Sequence, residues 1–249
     1  MPMDRIRSLV ASRFSSRFWA GALPVLAIGL VAGFLGVQRS AAEGAVVIPA
    51  PAIDEPAGGL ETAYFAGGCF WGVQAVFEHV KGVESAVDGY AGGQVANPTY
   101  EEVGMEQTGH AETVKVVFDP KQVSYGTLLH VFFSVVMDPT EDGFQGPDHG
   151  DSYRSVVFTT SDAQQKVASA YIAQLDAAKV FPAAIVTKVT PYTNFYQAED
   201  YHQDNGITLK VNAGYVEFYD VPKVGDLKSL FPELWQEKPK TVFPENAAA

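Results

Sequence analysis

The sequence predicts a compact two-layer α+β domain in which strands and helices interleave without a long uniform βα repeat. Two observations carry this expectation. Short runs rich in β-branched and aromatic residues alternate with segments of helical apolar spacing, separated by Gly pairs or Asp-Pro. Hydrophobic residues make up 47% and aromatics 12% of the 249 positions, enough for a packed core.

The elements follow in order. TAYFA (62–66) reads as a short strand running into Gly67-Gly68. Phe70, Val73, Phe77 and Val80 then fall at helical spacing, and Lys81-Gly82 supplies the stop. VESAVDGYAGG (83–93) reads as a strand entering a Gly-rich turn, and ETVKVVF (112–118), closed by Asp119-Pro120, as another. Ser124 caps a helix whose LLHVFFSVV (128–136) is apolar nearly all round, which implies deep burial. SYRSVVFTT (152–160) reads as a strand. Ser161 and Gln164 form a capping-box signature before an apolar face of Val167, Tyr171, Leu175 and Ala178. AAIVTKVTPY (183–192) is a further strand, followed by a short helix over NFYQAEDYHQDN (194–205).

Upstream, residues 1–40 read as a signal peptide or an N-terminal membrane anchor. Arg5, Arg7, Arg13 and Arg17 precede an uncharged stretch from Phe18 to Val37, long enough to cross a bilayer at about 1.5 Å per residue. The arginines place that end in the cytoplasm and everything after Arg39 outside, in a periplasmic or secreted location. The stretch exceeds the usual signal-peptide core of about 7–15 residues, which favours an anchor, while Ser40-Ala41-Ala42 suits a peptidase. Residues 41–60, with Pro49, Pro51, Pro56 and several glycines, read as an extended, semi-rigid linker, and 61–249 as the folded domain. The net charge is −12 although five arginines lie in the first forty residues, so the remainder would repel phosphate backbones and nucleic acid is excluded as a partner.

One cysteine excludes an intrachain disulfide and a Cys-rich metal site. It sits in Gly67-Gly68-Cys69-Phe70-Trp71-Gly72, at a strand-to-helix turn. Unpaired N–H groups of a first helical turn favour a thiolate, the glycines admit a second molecule close to the backbone, and Phe70 and Trp71 supply apolar walls. These features fit a nucleophile, and on local grounds they fit a buried structural cysteine equally well. Other polar clusters are Gly109-His110-Ala111-Glu112, Asp148 in QGPDHG, Tyr153-Arg154, and Glu199-Asp200-Tyr201-His202-Gln203. A carboxyl group beside an apolar pocket has a raised pKa and can donate a proton. His110, Glu112, His149 and His202 have no metal-ligand spacing. A hydrolase or acyl transferase with Cys69 as nucleophile and His110 or His202 as base is a second enzymatic reading.

Together, GCFWG (68–72), Gly109–Glu112, Tyr153-Arg154-Ser155 and Ala198–Gln203 resemble the A-type peptide-methionine sulfoxide reductases, over roughly Glu61 to Pro232. The resemblance implies an α/β sandwich with a mixed sheet and a ferredoxin-like core. It implies reduction of methionine S-sulfoxide in oxidised proteins or peptides, with the free amino acid as a further candidate substrate. Cys69 would attack the sulfoxide sulfur and become a sulfenic acid, and Glu112 would protonate the oxygen. Tyr100 and Tyr153 would help bind that oxygen, Phe70 and Trp71 would hold the methyl group, Asp148 would shape the site, and Tyr201 and His202 would line it. No bound cofactor or metal is implied; the protein would act as a monomer with an external thiol reductant (thioredoxin-like, glutaredoxin-like or a small thiol). The chain departs from the pattern in lacking the resolving cysteines of many members. Gly104 stands before the GHAE motif and the tail from Val216 has no thiol, so an outside thiol must reduce the sulfenic acid. Gly150-Asp151-Ser152-Tyr153 replaces the usual Gly-Thr-Gln-Tyr, and Met137 replaces a histidine before Asp138-Pro139-Thr140. A module that binds oxidised methionine without reducing it is the non-catalytic alternative.

Overall fold

The computed structural model describes residues 44–56 and 58–248, and the expected signal or anchor lies outside them. Among the described residues no helix is long and apolar enough to cross a membrane.

The chain runs through β1 (Glu61–Ala66), α1 (Phe70–Glu78), β2 (Val83–Ala91), α2 (Tyr100–Gly104), β3 (Ala111–Phe118) and α3 (Tyr125–Val131), which continues as a π-helical turn to Val136. The two-residue strands β4 (Phe144–Gln145) and β5 (Asp148–His149) and a 3-10 turn (Asp151–Tyr153) lead to β6 (Val156–Thr159) and α4 (Asp162–Ala178). Then come β7 (Lys188–Pro191), β8 (Phe195–Gln197), α5 (Asn205–Thr208) and α6 (Ala213–Tyr215), and a π-helical turn (Val216–Asp220) enters α7 (Val221–Leu230). The main sheet has the order β7-β6-β1-β3-β2-β8 and is antiparallel except for the β6–β7 pair, so it is mixed as expected. Its centre, β6-β1-β3-β2, is a ferredoxin-like βαββαβ arrangement.

Strand alternation decides what reaches the site. Phe65, Ala86, Tyr90, Val114, Val116 and Phe118 join the main core, while Tyr64, Ala66, Ala91, Ala111, Val156 and Phe158 form a smaller cluster on the opposite face. Glu112 lies two residues before Val114, so the same parity puts its carboxyl on the crowded face beneath α1. Ser124 caps α3 by accepting the Thr127 N–H, and the apolar stretch Leu128–Val136 is buried apart from His130.

Four sequence expectations change. The helix over 194–205 does not form, because Phe195–Gln197 pairs with the edge of β2 and supplies the backbone partners that edge needs. The Glu199–Gln203 cluster therefore sits in a turn, tied down where the Gln203 amide donates to Asp88 O and its Oε1 accepts the Asp88 N–H. Tyr153 belongs to a 3-10 turn before β6 and not to a strand, and the strand over 183–192 shortens to Lys188–Pro191. In α4, Ala178 is exposed, and the Gln164 side chain binds Thr160 N and Thr62 O, so only the Ser161 half of the capping box exists. One helix was not foreseen: α2, which carries Tyr100 and has a complete Thr99–Glu102 capping box.

The segment read as a linker is extended from Gly44 to Pro56, and it is docked on the domain. Val46 N–H donates to Ser134 O, the Tyr171 hydroxyl to Pro49 O, and Gln174 exchanges two hydrogen bonds with Ala50 and Ala52. Asp54 adds a second cap to α3 by accepting from Ser124 Oγ and Gly126 N.

At the far end of α1, Glu78 is buried beside Asp204 and Asp88. Asp204 already accepts from Val242 N, Phe243 N and Asn246 Nδ2, so the proton of the carboxyl pair stays on Glu78. Burial first, then the Asp204 contact, pushes Glu78 well above its ordinary 4.5. A raised folded-state pKa gives full stability below the unfolded value and a loss as pH rises towards the folded one. Glu78→Gln removes the titrating group. Its melting temperature should therefore gain on the wild type as pH rises from about 5 into the neutral range, with a slope of at most about 1.4 kcal/mol per pH unit in unfolding free energy. A constant difference across that range would contradict the assignment.

Candidate active site

Gly67 and Gly68 turn the chain from β1 into α1. A Cβ at Gly67 would lie 2.8 Å from the Phe132 ring, and Gly68 has φ +86° with Gln145 Cβ packed against it. The glycines thus serve the protein's own packing, where the sequence suggested access for a second molecule. Cys69 is the N-cap residue of α1 and is 9% exposed.

The sequence placed a thiolate at this position; the structure reverses that. Burial pushes the Cys69 thiol well up, and the nearby acidic groups Asp220 and, when ionised, Glu112 push it further. The Trp71 N–H and the Lys223 ammonium oppose the rise without cancelling it. A first turn of a nine-residue helix cannot outweigh full desolvation. Resting Cys69 is therefore a thiol.

Glu112 stands opposite. Its Oε2 accepts the Phe70 N–H at 3.0 Å, which satisfies one of the donors left over at the start of α1. Burial raises its pKa to about 8; the Phe70 hydrogen bond works against this, and Asp148, Asp220 and Glu106 add to it. Glu112 is accordingly a buried acid that keeps its proton at neutral pH. Tyr100 and Tyr153 neighbour Glu112, Cys69 and each other, and burial raises both hydroxyls, so they act as hydrogen-bond donors. Glu199 fixes the first of these by accepting from Tyr100 N and the Tyr90 hydroxyl.

Phe70 and Trp71 are both buried, and their rings meet His202 at 5.1 and 5.7 Å. His202 Nδ1 accepts from the indole N–H at 3.1 Å, and burial lowers its pKa to about 4, so it is a neutral ring that orients Trp71. Tyr201 is 47% exposed, its ring tilted against that of His202, and it is not among the residues lining the cavity at Cys69. Neither histidine proposed as a hydrolase base suits that role. His202 holds Trp71, and His110 uses Nδ1 to accept from Gly93 N and Nε2 to donate to Val95 O.

A cavity of about 460 Å³ opens beside Cys69, walled by Val135, Met137, Asp148, Tyr215 and Lys223, with Gly44 of the docked segment at its edge. The Tyr215 hydroxyl donates to Asp148, and Asp220 pairs with Lys223 at 3.5 Å. Tyr215, Asp220 and Lys223 were missed in the sequence. Asp220-Val221-Pro222 does carry a helix-start signal, yet nothing local tells that this helix folds back over Cys69. Among the described residues no group of three or more His, Cys, Asp or Glu side chains could hold a metal ion.

Protonation of Glu112 is directly measurable. The wild type should show an infrared carbonyl band of a protonated carboxyl that disappears as pH rises through about 8 and is missing in the Glu112→Gln difference spectrum. A band titrating near the ordinary carboxyl range would refute it.

Residues 61–231 match the family model described as peptide methionine sulfoxide reductase. The chain is 53% identical over 190 residues to peptide methionine sulfoxide reductase MsrA 2 of Mesorhizobium japonicum, covering 76% of this chain and 97% of that one. It is 45% identical over 192 residues to the protein of the same name from Synechocystis, covering 75% and 89%. The solved structure of methionine sulfoxide reductase A of Corynebacterium diphtheriae superposes with a TM-score of 0.52 at 36% identity, over 59% of this chain and 73% of that one. A buried thiol facing a protonated carboxyl, on a fold and sequence shared with these proteins, places the chain in the peptide methionine sulfoxide reductase A family of oxidoreductases.

Proposed function

We propose that the chain reduces the S epimer of methionine sulfoxide in exported proteins and peptides, through a Cys69 sulfenic acid that an external thiol reduces. The observation that carries this reading is the protonated Glu112 held against the first turn of the helix that presents Cys69. A sulfoxide sulfur is a poor electrophile until its oxygen is protonated, so an acid must face the nucleophile. The Cys69 thiolate attacks that sulfur and Glu112 delivers its proton to the oxygen. The oxygen then passes to Cys69, leaving a thioether; Cys69 loses two electrons and the sulfoxide gains them. Tyr100 and Tyr153 donate to the oxygen, and Phe70 and Trp71 hold the methyl group, which fixes the epimer by the side on which the oxygen must lie. Asp148 shapes the wall opposite.

The only cysteine cannot form an internal disulfide. An incoming thiol therefore attacks Cys69 Sγ, expels the oxygen as water, and leaves a mixed disulfide that a second thiol opens. Phe18–Val37 would tether the enzyme to a membrane, or direct its export and be removed, so that it acts outside the cytoplasm.

Single-turnover assays without reductant test the chemistry. With the S epimer, about one methionine per Cys69 should appear, and intact mass should show one added oxygen that dimedone traps. The R epimer should give neither. Binding of the S epimer without methionine release would instead support a non-catalytic module.

A further inference from the structure

Resting Cys69 carries a proton that must leave before it can attack. Glu112 cannot take it, because in the reductase reading it keeps its own proton for the sulfoxide oxygen. His202 and His110 are engaged as described, and the tyrosine hydroxyls around the site are donors. Asp148 accepts the Tyr215 hydroxyl.

Asp220 remains. Its side chain is fully shut off from solvent, yet among the described residues neither carboxylate oxygen has a partner within ordinary hydrogen-bond geometry, and the nearest cation is the Lys223 ammonium at 3.5 Å. It lies against the first turn of α1: a Cβ at Gly72, one turn beyond Cys69, would collide with Oδ1 and come within 3.1 Å of Lys223 Nζ. Among charged groups it is the one that most opposes ionisation of Cys69, and Lys223 lines the cavity on which Cys69 opens.

We propose that Asp220 is the base that accepts the Cys69 proton, directly or through one water, and that Lys223 holds it ionised for that purpose. This rests on the reductase reading of the same site. The Cys69 S–H bond breaks and an O–H bond forms on Asp220, while the Glu112 O–H breaks and its proton goes to the sulfoxide oxygen. Oxygen transfer to sulfur and expulsion of water by the incoming thiol involve no net proton. Asp220 and Glu112 therefore reset by a net transfer of one proton from Asp220 to Glu112.

The groups facing Asp220 are Lys223, which favours its charge, and Asp148, Tyr215, Cys69, Glu112 and Asp88, which do not. Burial sets its pKa at about 6, below the value of about 8 for Glu112. Two carboxyls whose environments separate them across neutrality are suited to opposite roles. The rate should be bell-shaped in pH, falling on the acid side as Asp220 gains a proton and on the alkaline side as Glu112 loses one.

The test is the pH profile of single-turnover methionine release without reductant, from about pH 5 to about pH 9. Asp220→Asn should cut the neutral rate by about a hundredfold and remove the acid limb, and Asp220→Glu should restore both in part. Lys223→Met should move the acid limb up by about one pH unit, and Lys223→Arg should leave it in place. Alkylation of Cys69 by iodoacetamide at high pH, where hydroxide ionises the thiol, should match the wild type in Asp220→Asn and so separates a lost base from a lost fold. An acid limb that persists in Asp220→Asn, whether or not the rate falls, overturns the proposal. A variant whose alkylation also collapses leaves the decision to Lys223→Met, whose unshifted limb overturns it as well. Failure of the wild type to release any methionine would instead strike the reductase reading on which it stands.

Discussion

The hydrogen bond from Phe70 N–H to the buried Glu112 carboxyl is the constraint on which the rest of the site depends. It joins the first turn of α1 to β3 and satisfies a donor that a helix start otherwise leaves unpaired. For it to form, Glu112 must point to the α1 face of the sheet, as the alternation through Val114 and Val116 requires. The chain must also turn within two residues from β1 into α1, which Gly67 and Gly68 allow against Phe132 and Gln145. With both met, Cys69 is set at the head of the helix with the acid beneath it.

A buried carboxyl is unfavourable when ionised, and this one is surrounded by others. Asp88 is fully buried, with no hydrogen bond to its carboxyl oxygens among the described residues; Asp148 lines the cavity and Asp220 pairs with Lys223 of its wall; Glu78 keeps its proton beside Asp204 at the other end of α1. So many acids in one low-dielectric region cannot all be charged, so several retain protons at neutral pH. Each unit of upward shift corresponds to about 1.4 kcal/mol favouring the protonated form. The same crowding that weakens the fold as pH rises keeps an acid ready beside the sulfur. Lys223 is the cation set against this crowding at Cys69, and its ion pair with Asp220 is what distinguishes that acid from its neighbours.

The fold was legible where local pattern and tertiary need agree. Short β-branched and aromatic runs closed by glycines or Asp-Pro located β1, β2 and β3, and Ser124 and Ser161 marked the starts of α3 and α4. GCFWG and GHAE were recognisable because each compresses its role into a few adjacent residues. Legibility ended where a distant element decides the outcome. Phe195–Gln197 has a helical surrounding pattern, and only the open edge of β2 makes it a strand. The residues 44–56 look like a linker because their hydrogen-bond partners, Ser134, Tyr171 and Gln174, lie some ninety to one hundred and twenty positions away. The thiolate expectation failed for a related reason: helix-end polarity is visible in sequence, whereas the depth of burial that outweighs it is not. Thr99-Tyr100-Glu101-Glu102 is different, since its capping box was written in the sequence and α2 could have been read from it.

The lone cysteine acquires a steric consequence from the segment over it. In many members of the family a resolving cysteine rides on the C-terminal tail; here Tyr215, Asp220 and Lys223 of that tail pack on α1 and the wall of the cavity. Their carboxylate and ammonium are too deeply placed for the segment to swing aside without exposing an ion pair and breaking the Tyr215–Asp148 contact. Cys69, only 9% exposed, opens on this cavity. In the proposed cycle substrate and reductant reach the same buried atom in turn, because the sulfur that accepts the oxygen is also the sulfur the thiol must reach. A small thiol satisfies this geometry readily; a protein reductant does so only if its nucleophile stands on a projecting tip. The lack of a second cysteine therefore selects among reductants by shape as well as by potential.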